Sequence, residues 1–98
     1  MSYKKLIGQP VGILTTTMFY SGTLVRVEPD SFVLTDAEWV AETGVWSDFA
    51  QNLSSSESSP FPPDVEVYVS RPQHIIIFGA DPKLVQSSKL TKRLTPAK

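Results

Sequence analysis

The stretch GTLVRVEPDSFVLTDA, residues 22–37, decides how the rest of this 98-residue chain is interpreted. Residues 22–27 are rich in β-branched and aliphatic side chains, which is typical of a strand. Residues 28–31, EPDS, favour a turn, because proline fixes φ and the Asp and Ser side chains bond to nearby backbone. Residues 32–37 return to an extended apolar pattern. The stretch therefore predicts a β-hairpin.

The composition is that of one small globular domain. The hydrophobic content is 41%, an ordinary value, and the length suggests a single unit. A domain of this size leaves much of its surface exposed, so oligomerisation is an expected source of stability. The chain has no cysteine and a single histidine, His74. This excludes disulfides and thiolate metal sites and argues against a histidine-based zinc site, so we expect no metal and no cofactor.

Charge is distributed unevenly along a chain whose net charge is only -1. Residues 27–70 contain acids but no Lys or Arg, whereas the residues after Asp81 include Lys and Arg but no acid. A basic tail on an acidic body can contact nucleic acid. The favoured interpretation is a solvated, disordered tail over residues 87–98, following a single domain at residues 1–86.

No segment has the pattern of a signal peptide or a membrane span. The first apolar pair, Leu6-Ile7, is followed at once by Gly8 and Pro10, and no later apolar run approaches membrane length. We therefore expect a cytoplasmic protein with no membrane partner.

The remaining segments add strands on both sides of the hairpin. We expect a short helical turn at residues 2–7, a strand at 11–17, and a third strand that runs from residue 32 to about 41. Residues 65–70 alternate between apolar and polar side chains, which indicates a half-buried strand, and residues 75–78, IIIF, form the last strand. A final helical turn is expected from Asp81 to Val85.

Two segments between the third strand and residue 65 are less regular. Residues 45–53 fit either an amphipathic helical turn, with Val45, Trp46, Phe49 and Leu53 on one face, or a loop whose aromatic side chains cover the end of the sheet. Residues 54–63, SSSESSPFPP, cannot bury enough apolar surface to order themselves, so we expect a flexible excursion. The Pro-rich end could be a polyproline ligand, but a stiff return into the next strand is favoured.

The hairpin resembles the first motif of the Sm and LSm family, which includes the bacterial Hfq-like proteins. That motif has a Gly, an aliphatic residue two positions on, an aliphatic–acid pair at the turn and an aliphatic run that ends near an Asp. The matching positions are Gly22, Leu24, Val27-Glu28, Val33-Leu34 and Asp36-Ala37. Arg26 stands where the family often has a second glycine.

Residues 68–78, YVSRPQHIIIF, are similar to the second motif of the same family. Residues 67–69 match the fourth strand, Arg71 the basic residue and residues 75–77 the fifth strand, while Ser70 is extra and Pro72 replaces a glycine. A second alignment, with residues 77–79 on the basic triplet, leaves no strand afterwards. The resemblance implies an all-β fold: a strongly bent, five-stranded antiparallel sheet closed into a small barrel of the Sm-like or SH3-like type.

The last strand also favours assembly. An apolar edge strand without a charge or a proline invites pairing with another chain, although the strand could be covered inside its own barrel. In the family the fifth strand pairs with the fourth strand of the next subunit and closes a ring, which implies a homo-oligomer. The implied interface residues are Val67, Val69, Ile75, Ile76, Ile77 and Phe78.

The resemblance implies an RNA-binding or single-stranded DNA-binding function. In the family the turns after the second and fourth strands meet at the pore and hold unpaired bases. Arg71 would contact phosphate or stack on a base, and Phe32 fits either a stacking role or the core. Gln73 and His74 would read base edges. The implied site residues are Asp30, Ser31, Phe32, Arg71, Gln73 and His74.

Two other classes of function remain to be weighed. The acidic body argues against strong electrostatic affinity for nucleic acid, and it fits a protein-interaction or structural module on the same small barrel. An enzyme is not expected, because the chain has no nucleophile motif, no paired-carboxylate pattern and no phosphate-binding glycine-rich loop.

Overall fold

The computed structural model describes residues 3–85, and strands predominate within them. A 3-10 turn at Lys4–Leu6 precedes the sheet, and residues 82–85 are helical. The elements between them are β1 (Pro10–Thr15), β2 (Phe19–Val27), β3 (Ser31–Glu42), α1 (Trp46–Asn52), β4 (Glu57–Pro60), β5 (Val67–Ser70) and β6 (His74–Gly79). No helix in this part of the chain is long and apolar enough to cross a membrane. The expected tail at residues 87–98 lies outside the described residues.

All strand pairs are antiparallel, and they form one sheet in the order β4-β3-β2-β1-β6. β5 lies off this path and pairs with the first part of β3, from Ser31 to Leu34, while β4 pairs with its last part. The all-β antiparallel class expected from the sequence is therefore confirmed.

The predicted hairpin is confirmed as β2, β3 and the turn between them. Glu28 N donates to Ser31 O at 2.8 Å and Ser31 N donates to Glu28 O at 3.3 Å, which closes the turn. The two strands bend strongly, because the register shifts twice along β2 and Asp36 in β3 has a φ of 49°. Gly22 lies at the first shift. A Cβ there would meet Thr35 O at 3.0 Å, so a larger residue would push the strands apart by a few tenths of an ångström.

The bend brings the two ends of the sheet close together without closing it. β5 and β6 are joined by only three residues, Arg71 to Gln73, yet they do not form a hairpin. β5 pairs with β3, whereas β6 pairs with β1. The closed five-stranded barrel expected from the resemblance is thus not what the described residues form: their sheet is open and has six strands.

The additional strand is β4, which lies inside the Ser/Pro-rich segment where we expected a flexible excursion. β3 is 12 residues long, and β5 covers only its first four residues. The second half of β3 therefore offers unpaired backbone groups, which β4 satisfies in the register Glu38↔Pro60 to Glu42↔Glu57. Backbone pairing needs no apolar side chain, so the polar composition did not reveal it. Phe61 then anchors the segment, since it packs against the core and its N donates to Ala37 O.

The core has two parts, one inside the curl of the sheet and one beneath α1. The first contains Val11, Ile13, Leu24, Phe32, Leu34, Ala37 and Val69. The second contains Val40, Phe49, Leu53, Ala80 and Val85. Trp46–Asn52 form α1, so the helix, not the loop, is the correct alternative for residues 45–53. Phe49 in α1 and Leu53 at its C-cap are buried, whereas Val45 and Trp46 of the expected face are 64% and 44% exposed. The helical residues 82–85 agree with the turn expected from Asp81.

Candidate functional site

The β2–β3 turn and the β5–β6 turn meet at one end of the sheet. Arg71 N donates to Asp30 O at 2.9 Å, and Arg71 Nη1 donates to Glu28 O at 2.7 Å. We call the surface formed by Glu28, Asp30, Ser31, Arg71, Gln73 and His74 the turn junction. The family resemblance implied that these two turns would meet. The contacts join Asp30, Ser31, Arg71 and His74 of the six implied site residues, and Gln73 lies in the same turn as Arg71.

Arg71 is held at the turn junction by aromatic rings and a carbonyl oxygen, not by a carboxylate. Its guanidinium carbon lies 5.4 Å from the ring centroid of Tyr3 and 5.7 Å from that of Phe32. The salt bridges found within residues 3–85 do not include Arg71. Its side chain is partly exposed. The arginine is therefore fixed in position, while its positive charge remains unmatched by an acid and can attract an anion.

His74 is fixed against the same group. Its N donates to Arg71 O at 3.1 Å, and its ring Nδ1 contacts the same oxygen. Because a carbonyl oxygen only accepts, Nδ1 carries the proton, and Nε2 is the remaining polar atom of the ring. The ring packs edge-on against Phe32 at 4.9 Å. His74 is only partly exposed, so it offers one edge to a ligand rather than its whole ring.

The other implied site residues differ in accessibility. Asp30 and Gln73 are exposed, and Ser31 is half-buried. Phe32 is 0% exposed and belongs to the first core, so the stacking role is wrong and the core role is correct. Its ring supports the turn junction from beneath, where no ligand base can reach it.

Tyr3 is the site residue that sequence reasoning missed. Its ring packs at 5.1 Å and 86° against Phe32 and lies under the Arg71 guanidinium. The 3-10 turn at Lys4–Leu6, closed by the bond from Leu6 N to Tyr3 O, directs the chain start towards the turn junction. The only signal in the sequence was an aromatic residue at the head of the expected helical turn.

A second arginine, Arg26 on β2, has a contrasting environment. Arg26 donates from Nε to Glu28, from Nη1 and Nη2 to both oxygens of Glu66, and from Nη2 to the Tyr68 hydroxyl, at 2.8–3.0 Å. We call Arg26, Glu28, Glu66 and Tyr68 the Arg26 cluster. The hydrogen bonds that Arg26 donates to Glu66 and Glu28 raise the pKa of Arg26, and those that Glu66 accepts lower the pKa of Glu66. This positive charge is already matched by acids.

The predicted interface residues on β5 and β6 divide into exposed and buried side chains. Ile75 and Ile76 are 60% and 42% exposed, and Tyr68, which we did not predict, is 53% exposed. Val67, Ile77 and Phe78 are half-buried and pack against the two cores. Val69 is 3% exposed, so its side chain is part of the core, and only its backbone on the free edge of β5 can contact another subunit. Within residues 3–85, β5 and β6 each pair with a single strand, which leaves each with one free edge.

Among the described residues, no group of three His, Asp or Glu side chains could hold a metal ion. Comparison of the chain with protein-family models, with curated proteins and with solved structures finds no match.

Proposed function

We propose that this protein is an Sm-like subunit that assembles head-to-tail and binds single-stranded RNA or DNA at the turn junction. It acts by binding, with no catalytic step, and in the cytoplasm. The observation that carries the proposal is the pair of bonds from Arg71 to Asp30 O and Glu28 O, because they bring the two motif turns onto one surface around a cation without an acidic partner.

The free edges support the assembly half of the proposal. β5 and β6 diverge after three residues and pair with opposite sides of the sheet. A β6 from one copy that pairs with β5 of the next would satisfy both edges and would cover Ile75 and Ile76. Repeated head-to-tail, this contact closes into a ring and completes the barrel. In this arrangement β1, β2, β3, β5 and β6 take the places of the five family strands, and β4 is an addition.

The charge distribution supports single-stranded nucleic acid bound with moderate affinity. Ring symmetry would repeat Arg71 around one axis and multiply its effect. Asp30 and Glu28 lie beside it, so phosphate attraction is limited. Hydrogen bonds between base edges, which are exposed only in single strands, and the side chains of Gln73 and His74 would supply the rest.

A protein-interaction module without a nucleic-acid ligand is the second candidate. The exposed apolar side chains Tyr68, Ile75 and Ile76 favour it, since the same free edges could pair with a different protein.

The test compares Arg71→Ala with Arg26→Ala in titrations of a short labelled single-stranded RNA, at about 50 mM and 200 mM salt. We expect Arg71→Ala to weaken binding more than about tenfold and to lower the salt dependence. Arg26→Ala should weaken it less than about threefold, because that charge is already matched by acids. Equal binding by both variants would remove the assigned site. A wild-type protein that binds neither RNA nor single-stranded DNA at low salt would favour the interaction module.

A further inference from the structure

We propose that Tyr3 is a positioning residue that holds Arg71 in its ligand-binding geometry, so that the start of the chain is part of the site. The inference rests on the proposed function and goes beyond it. It assigns a role to a residue outside both sequence motifs, and it specifies the ligand group that Arg71 takes: a phosphate oxygen of the strand.

The geometry around Arg71 leaves few of its donors for a ligand. Two rings, Tyr3 and Phe32, lie within 5.7 Å of the guanidinium carbon, and Nη1 is bonded to Glu28 O at 2.7 Å. Nε and Nη2 are the donor atoms without a bond to the described residues. Two adjacent donors on a planar, permanently charged group match the oxygens of a phosphate. The covered side of the guanidinium makes stacking on a base the less suitable use of Arg71.

Of the two rings, Tyr3 is the one that can control this geometry independently. Phe32 is fully buried and holds the first core together, so it is fixed by folding itself. Tyr3 is only partly buried and is delivered by the short turn at Lys4–Leu6. It contacts Phe32 at 5.1 Å, His74 at 6.1 Å and the Arg71 guanidinium, and therefore touches the three side chains that shape the turn junction.

A cation–π contact needs the ring but not the hydroxyl, and this gives a matched set of variants. Tyr3→Phe keeps the ring, and Tyr3→Ala removes it. Tyr20→Ala is the control for the loss of a half-buried tyrosine ring, because Tyr20 packs against the same core but is not one of the rings beside Arg71. Arg71→Lys keeps the charge but loses the paired donors.

The experiment titrates these proteins with the short single-stranded RNA used above and checks each for an unchanged melting curve. We expect Tyr3→Ala to weaken binding about three- to tenfold, while Tyr3→Phe and Tyr20→Ala stay within about twofold of wild type. Arg71→Lys should bind more weakly than wild type. Added to Arg71→Ala, Tyr3→Ala should cause no further loss, because a positioning residue acts through its partner.

A second measurement needs no RNA. The Arg71 side-chain protons should be shifted by the two rings in NMR spectra of the wild type, and Tyr3→Ala should remove part of that shift. The inference is overturned if the shift stays, or if Tyr3→Ala binds RNA like wild type while Arg71→Ala does not. The latter result would leave the proposed function standing. If the wild type binds no strand at all, the proposed function falls and this inference falls with it.

Discussion

Arg26 and Arg71 each lie at nearly the same distance from an aromatic ring, but of the two only Arg26 forms ion pairs with acids of the described residues. The Arg26 guanidinium lies 5.8 Å from the Tyr68 ring, and that of Arg71 lies 5.7 Å from the Phe32 ring. Arg26 forms ion pairs with Glu28 and Glu66 at 2.9 Å, whereas Arg71 bonds to a backbone carbonyl. The carboxylates that accept hydrogen bonds from Arg26 balance its positive charge. Arg71, held by rings and a carbonyl, has no ion pair with an acid within residues 3–85, as the proposed ligand-binding role requires.

The aromatic rings that contact the two arginines also differ in their burial. Tyr68 is exposed on a free edge strand, while Phe32 lies in the core beneath the turn junction. Arg71 is therefore held against the buried core, whereas the Arg26 cluster lies at the surface. This is the difference expected between an arginine that binds a ligand and one that stabilises the surface of a strand.

The largest expected effect tests whether assembly, by repeating Arg71 around one axis, strengthens the binding of RNA. Ile76→Asp places a charge where a neighbouring copy would pack, at a cost of ~2–3 kcal/mol per interface, summed over the ring. Light scattering should show smaller species than the wild type, and the difference in RNA binding between the Arg26 and Arg71 variants should shrink. Leu84→Asp is the control, since Leu84 is similarly exposed, at 43%, and lies outside the strands. A wild-type protein that is already monomeric at micromolar concentration would contradict the ring.

The next effect compares the rings beneath the two arginines. Phe32→Ala should lower the free energy of unfolding by about 3–5 kcal/mol, because it empties a fully buried site. Tyr68→Ala should lower it by less than about 1 kcal/mol. Urea unfolding of both variants in the Ile76→Asp background removes assembly from the measurement. Similar losses for the two rings would mean that Phe32 is not the rigid support of Arg71 that its burial indicates.

The hairpin could be predicted from short-range sequence patterns, whereas the meeting of the two turns was implied only by the family resemblance. Residues 28–31 carry their own turn chemistry, and the alternation in residues 65–70 correctly placed Arg71 after a strand. Burial was harder to predict. Val69 was assigned to a contact with another subunit, and Phe32 was left open between base stacking and the core, yet both side chains are buried. An apolar side chain on a strand looks the same in the sequence whether it faces the core or a partner.

Other features depend on long-range contacts that no local pattern encodes. β4 forms because the second half of β3 has free backbone groups, not because its own side chains favour a strand. Tyr3 reaches Arg71 across 68 positions of sequence, and Arg26 reaches Glu66 across 40. In the sequence, Arg26 was notable only because it stands where the Sm family often has a glycine. Its carboxylate partners, Glu28 and Glu66, could be identified only from the fold.

The smallest expected effect tests whether the charge of Arg26 is balanced by its ion pair with Glu66. Arg26 lowers the pKa of Glu66 in the folded protein, so the ion pair stabilises the fold above the unfolded-state pKa of Glu66 and its contribution is lost as the pH falls through the folded-state value. Both side chains are exposed, so Glu66→Gln should lower Tm by only about one or two degrees at neutral pH. The deficit relative to wild type should disappear below about pH 4 and shrink in high salt.

Glu57→Gln is the control for this measurement, because Glu57 is also an exposed acid but forms no ion pair within residues 3–85. It should show no such pH-dependent deficit. If the Glu66→Gln deficit instead persists in acid, the contribution of Glu66 is not ionic. Arg26 would then be held, like Arg71, by a ring and neutral acceptors, and the two arginines would differ only in how exposed their supports are. A deficit confined to neutral and alkaline pH would establish that carboxylates match the charge of Arg26, the feature that separates it from Arg71.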